Sequence, residues 1–458
     1  MTSHARLLAR TALDVTPDRT SKAAFQSAKT CVLDYLGATL AGMDEGPCVI
    51  VRNWVVEQGG KAISTLLGSS TKVPPHLAAL ANGTAGHMIE LDDVHGACIG
   101  HPAVAVIPAA LALAESRNLS GREFLASVVA GYEVMARLGA YMGISHYKVW
   151  HPTATLGSLG AAAAAAQAMG LSEEQAVNAI AIAATMASGL REVFVGGSNC
   201  KHVHPGLASR NGVVAAELAL AGFTGPESAI DGTMGFRVAH SGAGNEGALS
   251  GLPGGKMHIQ DTEFKVFASC RSAHTAAEAG ILTSESGVDA EDVECIVLEL
   301  PRVTAEDPAW GNLSPKNPLA ARLSIAYNFV VSLLDSACYL DQFTPERVMD
   351  PQLMYLMSRT TIRPSTEMDS HYPEHVGVRA TVTLGSGGKT AKQVIIPKGH
   401  PERPLLASEI DAKFMNLVQP VLGDKARVLR DLVMNLDEIG AVGEMTSLCD
   451  RAGSDTAQ

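Results

Sequence analysis

Apolar side chains recur at helical spacing along most of the first 265 residues. In residues 21–42 the positions Phe25, Ala28, Val32, Tyr35, Leu36 and Leu40 fall on one stripe, and Gly42 supplies a stop. Residues 76–91 carry the pattern on until the acidic group Glu90, Asp92 and Asp93 breaks it. Pro102 opens a helix through Ala114, because a proline's missing N–H would be unpaired at the first helical position anyway. Ser120 with Glu123, and Ser172 with Gln175, form capping-box pairs and predict helices to about Leu138 and Ser188. Pro152 opens an alanine-rich helix to Met169, and Pro205 one that ends near Gly222. No strand is expected before about residue 265.

The pattern then changes. Val293–Leu300 alternates as a strand does, and so do Val378–Leu384 and Lys392–Ile396 around the turn Gly385–Gly388. Pro318–Leu340 between them is helical in pattern. From Glu402 onward helical spacing returns, with Phe414, Leu417, Val421, Val428 and Leu432. The expected fold class is mainly α: a large all-helical domain, residues 1–266, plus a smaller α+β domain, residues 267–399. The tail, residues 400–458, is expected to complete the helical domain, with Arg451–Gln458 frayed.

Composition narrows the classes. Aromatics make up only 5% of the chain while alanine and glycine runs abound, which favours closely packed helices over a β-sandwich. A net charge of −12 argues against nucleic acid or an anionic membrane as partner. The eight cysteines have no zinc or iron–sulfur spacing, so a reduced cytoplasmic setting is expected. The first residues lack the apolar core of a signal peptide, and the run Ala161–Ala166 is too short to span a bilayer.

Four His-Pro pairs occur where composition gives about 0.7 by chance. Three of them, at His101, His151 and His204, stand before small-residue helical runs; the fourth, His400-Pro401, precedes a polar turn. A helix N-terminus attracts anions. Three converging ends would form a polycarboxylate site with imidazoles placed for proton transfer; the bland alternative is three ordinary junctions. Lys201 just upstream of His204 could neutralise a carboxylate or an enolate-like intermediate, or be a surface lysine. Glu90, Asp92 and Asp93 near His87, His95 and His101 offer metal donors, but at no standard spacing, and read better as groups that orient neighbouring His or Lys. Tyr327 lies in an apolar stretch and could equally be a core tyrosine. His274 falls at the expected domain junction, where ligand clefts are common. The spacing Gly242, Gly244, Gly247 matches a dinucleotide fingerprint only on paper, since no βαβ unit surrounds it.

These residues carry a resemblance. Gly83 to Asp93, Gly100-His-Pro102, Ile107 to Ala110, Trp150 to Gly157, Lys201 through Gly212, and Cys270 to His274 resemble the MmgE/PrpD family, in order and over nearly the whole chain. The family includes 2-methylcitrate dehydratases, cis-aconitate decarboxylases and iminodisuccinate epimerases. The resemblance implies that the α+β domain is a lid on the helical one, and that the protein is a homodimer with no metal and no organic cofactor. It implies His101, His151, Lys201, Tyr327 and His274 as catalytic residues, and Glu90, Asp93 and His204 as substrate-binding ones. At Cys270 the family varies between Cys and His. Glu90 stands where the family usually has Asp, and Val94 where it usually has Thr or Ser.

All the family's reactions put negative charge on a carbon beside a carboxylate. Without a cofactor, that charge must be absorbed by Lys, imidazolium and oriented N–H groups, and a proton moved by a group titrating near neutrality. The expected function is a cofactor-independent lyase on a small di- or tricarboxylate, by dehydration or decarboxylation. The alternatives are an isomerase or epimerase of a similar dicarboxylate, and a non-catalytic carboxylate-binding protein.

Overall fold

The computed structural model describes residues 2–242 and 244–451. Past Arg451 the expected frayed terminus lies outside the described residues. The first part of the chain forms α1 (His4–Leu13), α2 (Lys22–Gly42), α3 (Gly46–Gln58), α4 (Pro75–Gly86), α5 (Pro102–Arg117) and α6 (Gly121–Met142). It continues with α7 (Ile144–Tyr147), α8 (Pro152–Ala168), α9 (Glu173–Met186), α10 (Cys200–Leu220) and α11 (Phe236–His240). Ser120 and Ser172 cap α6 and α9 through reciprocal bonds with Glu123 and Gln175.

The alanine-rich helix α8 is the hub. It packs against α5, α6, α9 and α10, and every residue from Pro152 to Ala166 is buried. Its neighbours approach closely because the crossings are made of residues without bulk. A Cβ on Gly212 would stand 2.4 Å from that of Ala161, and one on Gly131 would stand 2.9 Å from the Gly160 carbonyl. Such crossings pack at crystal-like density and leave no slack.

The next part holds α12 (His274–Glu285), α13 (Arg302–Ala305), α14 (Pro318–Leu323), α15 (Ile325–Asp335), α16 (Pro345–Val348), α17 (Pro351–Ser358) and α18 (Thr366–Asp369). They accompany a four-stranded sheet. Counting two-residue strands, the strands are β1 (Ser64–Thr65), β2 (Lys72–Val73), β3 (Val94–His95), β4 (Thr262–Glu263), β5 (Val293–Leu300), β6 (Thr360–Pro364), β7 (Val378–Leu384) and β8 (Lys389–Val394). The sheet order is β6-β5-β7-β8, with β5 and β6 parallel and the other pairs antiparallel. Helix α12 packs on β7, β8 and α15. The last helices, α19 (Ala407–Leu422), α20 (Lys425–Met434) and α21 (Gly443–Leu448), return to the helical part, where α19 and α20 both lie on α2.

Four local expectations are corrected. Short strands do occur before residue 265: β1 pairs with β2, and β3 is stapled to β4 across the chain. Helix α10 begins at Cys200, so Pro205 lies inside it rather than opening it. A proline that early removes a single hydrogen bond, which the helix tolerates. Ser324 interrupts the Pro318–Leu340 run and caps α15, which ends at Asp335 before the left-handed Ser336. Strand β6 was not foreseen; it is an edge strand ending in a proline.

Candidate active site

The site is organised around one turn, Ile89–Asp93, between α4 and β3. Glu90 takes a left-handed conformation, φ 57°, which costs a non-glycine residue about 1–2 kcal/mol. Basic side chains from four separate elements hold its carbonyls. Arg322 of α14 donates to Ile89 O at 2.5 Å, and Lys265, after β4, to Glu90 O at 3.3 Å. Lys413 of α19 donates to Leu91 O at 2.7 Å, and His101 Nδ1, at the cap of α5, to Asp93 O at 2.6 Å. Helix α4 has already stopped at Gly86, and the acids that follow take their partners from elsewhere in the fold.

The turn's carboxylates are buried among cations and imidazoles. Glu90 pairs with Lys201 and, at 3.4 Å, with Lys265; Lys265 also stands 3.6 Å from Asp92. Burial pushes the Glu90 carboxyl up, but Lys201 and Lys265 outweigh it and hold the group well below the usual carboxylate range. Asp92 behaves the same way, with burial opposed by His87, Lys265 and His101. Two carboxylates thus face two ammoniums, the balance that a buried ionic group requires.

Imidazoles surround this core. His87 has Nδ1 2.7 Å from Asp92 and Nε2 2.7 Å from the Lys201 ammonium; burial lowers its ring to about 4, so it is neutral. The His101 ring centre is 4.8 Å from that of His87 and 6.4 Å from that of His151. His151, capping α8, shares a 3.1 Å Nδ1–Nδ1 contact with His204. Burial and then Lys201 depress both of these rings, His204 to about 4.

His101 connects the core to the outside. It lines a cavity of about 420 Å³, together with Cys270, Arg271, Tyr372, His375 and His400. Its Nδ1 is bound to the Asp93 carbonyl and stands 3.2 Å from Asp92, which leaves Nε2 as the nitrogen free to meet a ligand.

Of the expected residues, the structure brings His101, His151, Lys201, Glu90 and His204 together. It does not bring the other three. Tyr327 is fully buried in α15, and its hydroxyl donates to the Gln342 carbonyl at 2.6 Å. His274, the first residue of α12, is buried against Phe267 and bonds to the Ser269 carbonyl; the cavity-lining members of its segment are Cys270, Arg271 and Ser272. Asp93 turns inward, accepting from Tyr132 Oη at 2.7 Å and Ala103 N at 3.0 Å, and burial raises its carboxyl to about 8. Lys265 and Arg322 were missed, and their only sequence signal is a lone cation in an apolar stretch.

Two groups of donor atoms lie close enough to hold a metal ion among the described residues: His87, His101 and His151, and the cavity-rim set His375, His400 and Glu402. In the first, both nitrogens of His87 already face Asp92 and the Lys201 ammonium, so the group suits proton transfer better than a cation.

Buried cations behind an imidazole at a cavity wall suit a reaction that develops negative charge on a small carboxylate. Models of the MmgE/PrpD N-terminal domain and the MmgE/PrpD C-terminal domain match residues 6–246 and 267–438, and the chain belongs to that family. It is similar to the human cis-aconitate decarboxylase, 28% identical over 92% of this chain and 89% of the relative. A cis-aconitate decarboxylase-like protein of Aspergillus oryzae is 27% identical over 92% of both chains. The mitochondrial 2-methylcitrate dehydratase of Yarrowia lipolytica is 24% identical over 84% of this chain and 78% of the relative.

Proposed function

We propose that this lyase decarboxylates a small tricarboxylate of the cis-aconitate class in the His101 cavity. The carrying observation is the free Nε2 of His101 at the cavity wall, with Asp92 behind the same ring as counter-charge. When the C–C bond to the departing carboxylate breaks, its electron pair stays on the substrate carbon and carbon dioxide leaves. The charge spreads toward the neighbouring carboxylate, and Lys201 and Lys265 lower its energy from behind the imidazoles. His101, protonated at Nε2, delivers a proton to that carbon and regains one from solvent. His151 and His204 keep the floor of the site polar and neutral.

The reading is supported by the decarboxylase relatives at 27–28% identity, against 24% for the dehydratase. In this reading residues 1–266 with 400–458 form the body and 267–399 form the lid, with Arg322 of the lid and Lys413 of the tail both donating to the catalytic turn. A cytoplasmic location is supported by eight cysteines that are all free. A homodimer is supported by apolar Ile50 and Trp54 exposed on α3, and sedimentation will test it. No helix of the described residues is long and apolar enough to cross a membrane.

Proton NMR in deuterated water with cis-aconitate, citrate-like and aminodicarboxylate substrates tests the function. Decarboxylation is expected, with activity that survives dialysis against a strong chelator. Deuterium exchange without net conversion would point to an epimerase, loss of water to a dehydratase, and activity restored only by an added metal to a metalloenzyme.

A further inference from the structure

A second cavity lies on the other side of the catalytic core. It holds about 760 Å³ and is lined by Ser198, Asn199, His202, Asn317, Arg322 and Phe343 among others. None of these residues lines the His101 cavity.

Two of its walls are unusual. Arg322 is only 9% exposed, yet among the described residues no carboxylate forms an ion pair with it. Its Nη1 donates to the Ile89 and Ala268 carbonyls, at 2.5 and 2.7 Å, and its guanidinium lies over the Phe343 ring at 4.8 Å. These contacts fix the guanidinium's position without a direct ion pair; the nearest buried acid that bears on it, Glu90, is already paired with Lys201 and Lys265, and buried arginines are rarely left without a close partner. Burial lowers its pKa, and the more distant charges of Glu90 and Glu45 offset this only in part. The acids of this cavity, Glu45 and Asp341, are exposed, where solvent screens them.

His202 is the second. It follows Lys201 on α10, is 2% exposed, and neither ring nitrogen has a protein partner among the described residues. Its ring edge stands 6.1 Å, centre to centre, from His87. Burial and then Lys201 lower it to about 3, so it enters the cavity wall as a neutral ring with one N–H to give. A buried polar group without a partner calls for a ligand or an ion.

We propose that this cavity is a binding site for a small oxyanion, a carboxylate or a phosphate, separate from the substrate cavity. Arg322 supplies the charge and a planar fork of donors, and His202 supplies an N–H. Asn199 adds an uncharged amide, while Asn317 is held in the wall by Gly196 O and Ala320 N. Because the same guanidinium holds Ile89 O, an anion drawn to Arg322 is linked to the geometry of the catalytic turn.

The test uses the full chain, titrated calorimetrically with inorganic phosphate and, separately, with citrate, at constant ionic strength with chloride as control. Hydrogen exchange locates the binding. Two variants accompany the parent: Arg322→Gln, which removes the charge, and Ser198→Asp, which adds a carboxylate at an exposed wall position near the start of α10, where aspartate is well tolerated. Saturable binding is expected, with protection at residues 198–203 and 317–322 and an affinity loss of about tenfold or more in each variant, the scale of one charge-assisted contact. Binding of both anions identifies a general oxyanion site, and binding of citrate alone a carboxylate site; both support the proposal. If Arg322→Gln fails to fold, Ser198→Asp decides. No saturable binding, binding unchanged in the folded variants, or protection confined to the surroundings of His101 and Cys270 overturns it. Inactivity on every polycarboxylate would defeat the proposed reaction and leave this result untouched.

Discussion

The turn Ile89–Asp93 and the helix α8 flank the same histidines, His87 and His101 standing beside His151 at the start of α8, and they are built on opposite rules. Helix α8 is held by small apolar contacts that need no partner chemistry; its residues are interchangeable in kind but not in size. The turn is held by charges and hydrogen bonds, each with a named partner, on a left-handed glutamate that no local preference favours. Size errors should therefore damage one region and chemical errors the other. The strained, polar turn carries function, and the close-packed helix supplies the stability that tolerates it.

The largest expected effect is chemical. His101→Ala removes the proton donor, and steady-state kinetics should show turnover falling by about 10²–10⁴, while the lost bond to Asp93 O lowers stability by about 1 kcal/mol. Lys201→Ala comes next, at about 10²–10³ in turnover. Lys201 is buried against Glu90, so its loss costs more stability than that of His101. Breaking a buried pair costs about 3–5 kcal/mol. Glu90 keeps Lys265, so urea unfolding should show only part of that loss.

Size errors follow. Gly212→Ala would place a methyl 2.4 Å from the Ala161 Cβ and 2.5 Å from backbone atoms of α8. Overpacking of this kind costs about 1–3 kcal/mol, more than the roughly 1 kcal/mol that alanine returns through helix propensity. Denaturant midpoints should fall while turnover per folded molecule holds. A lost turnover with unchanged stability would break the contrast between the two regions.

The last effect is a slope. Burial raises the Asp93 carboxyl to about 8, so the folded chain holds that proton at pH values where the unfolded chain has released it. The stability this confers is complete below about pH 4 and is lost as pH rises through about 8. Asp93→Asn should flatten that decline, measured by urea unfolding at pH 5 and pH 8. A decline of unchanged steepness would show that Asp93 is ionised in the folded chain.

The same contrast explains what the sequence disclosed. Helix starts at Pro102 and Pro152 and the capping pairs at Ser120 and Ser172 are local chemistry, so they were legible. Pro205 misled because a proline one turn inside a helix has the same neighbours in sequence as one at its start. Strand β6 was hidden because its pairing with β5 is supplied by the sheet, not by its own alternation. His101, His151 and Lys201 were legible as a group. Lys265 and Arg322 were not, because their meaning arises only when distant segments meet at Glu90 and Ile89. Tyr327 was misplaced for the reverse reason: its apolar surroundings, and not its hydroxyl, decide where it goes.

The central claim is that His101 delivers the proton that completes a decarboxylation. Its most direct test follows parent and His101→Ala side by side by proton NMR in deuterated water with cis-aconitate, at a temperature where thermal unfolding shows both fully folded. The parent should release carbon dioxide and place one solvent deuterium on the product carbon, and the variant should do so at least ~10²-fold more slowly. A folded variant that keeps more than about half of the parent rate would contradict the claim, since a chemical role requires a far larger loss.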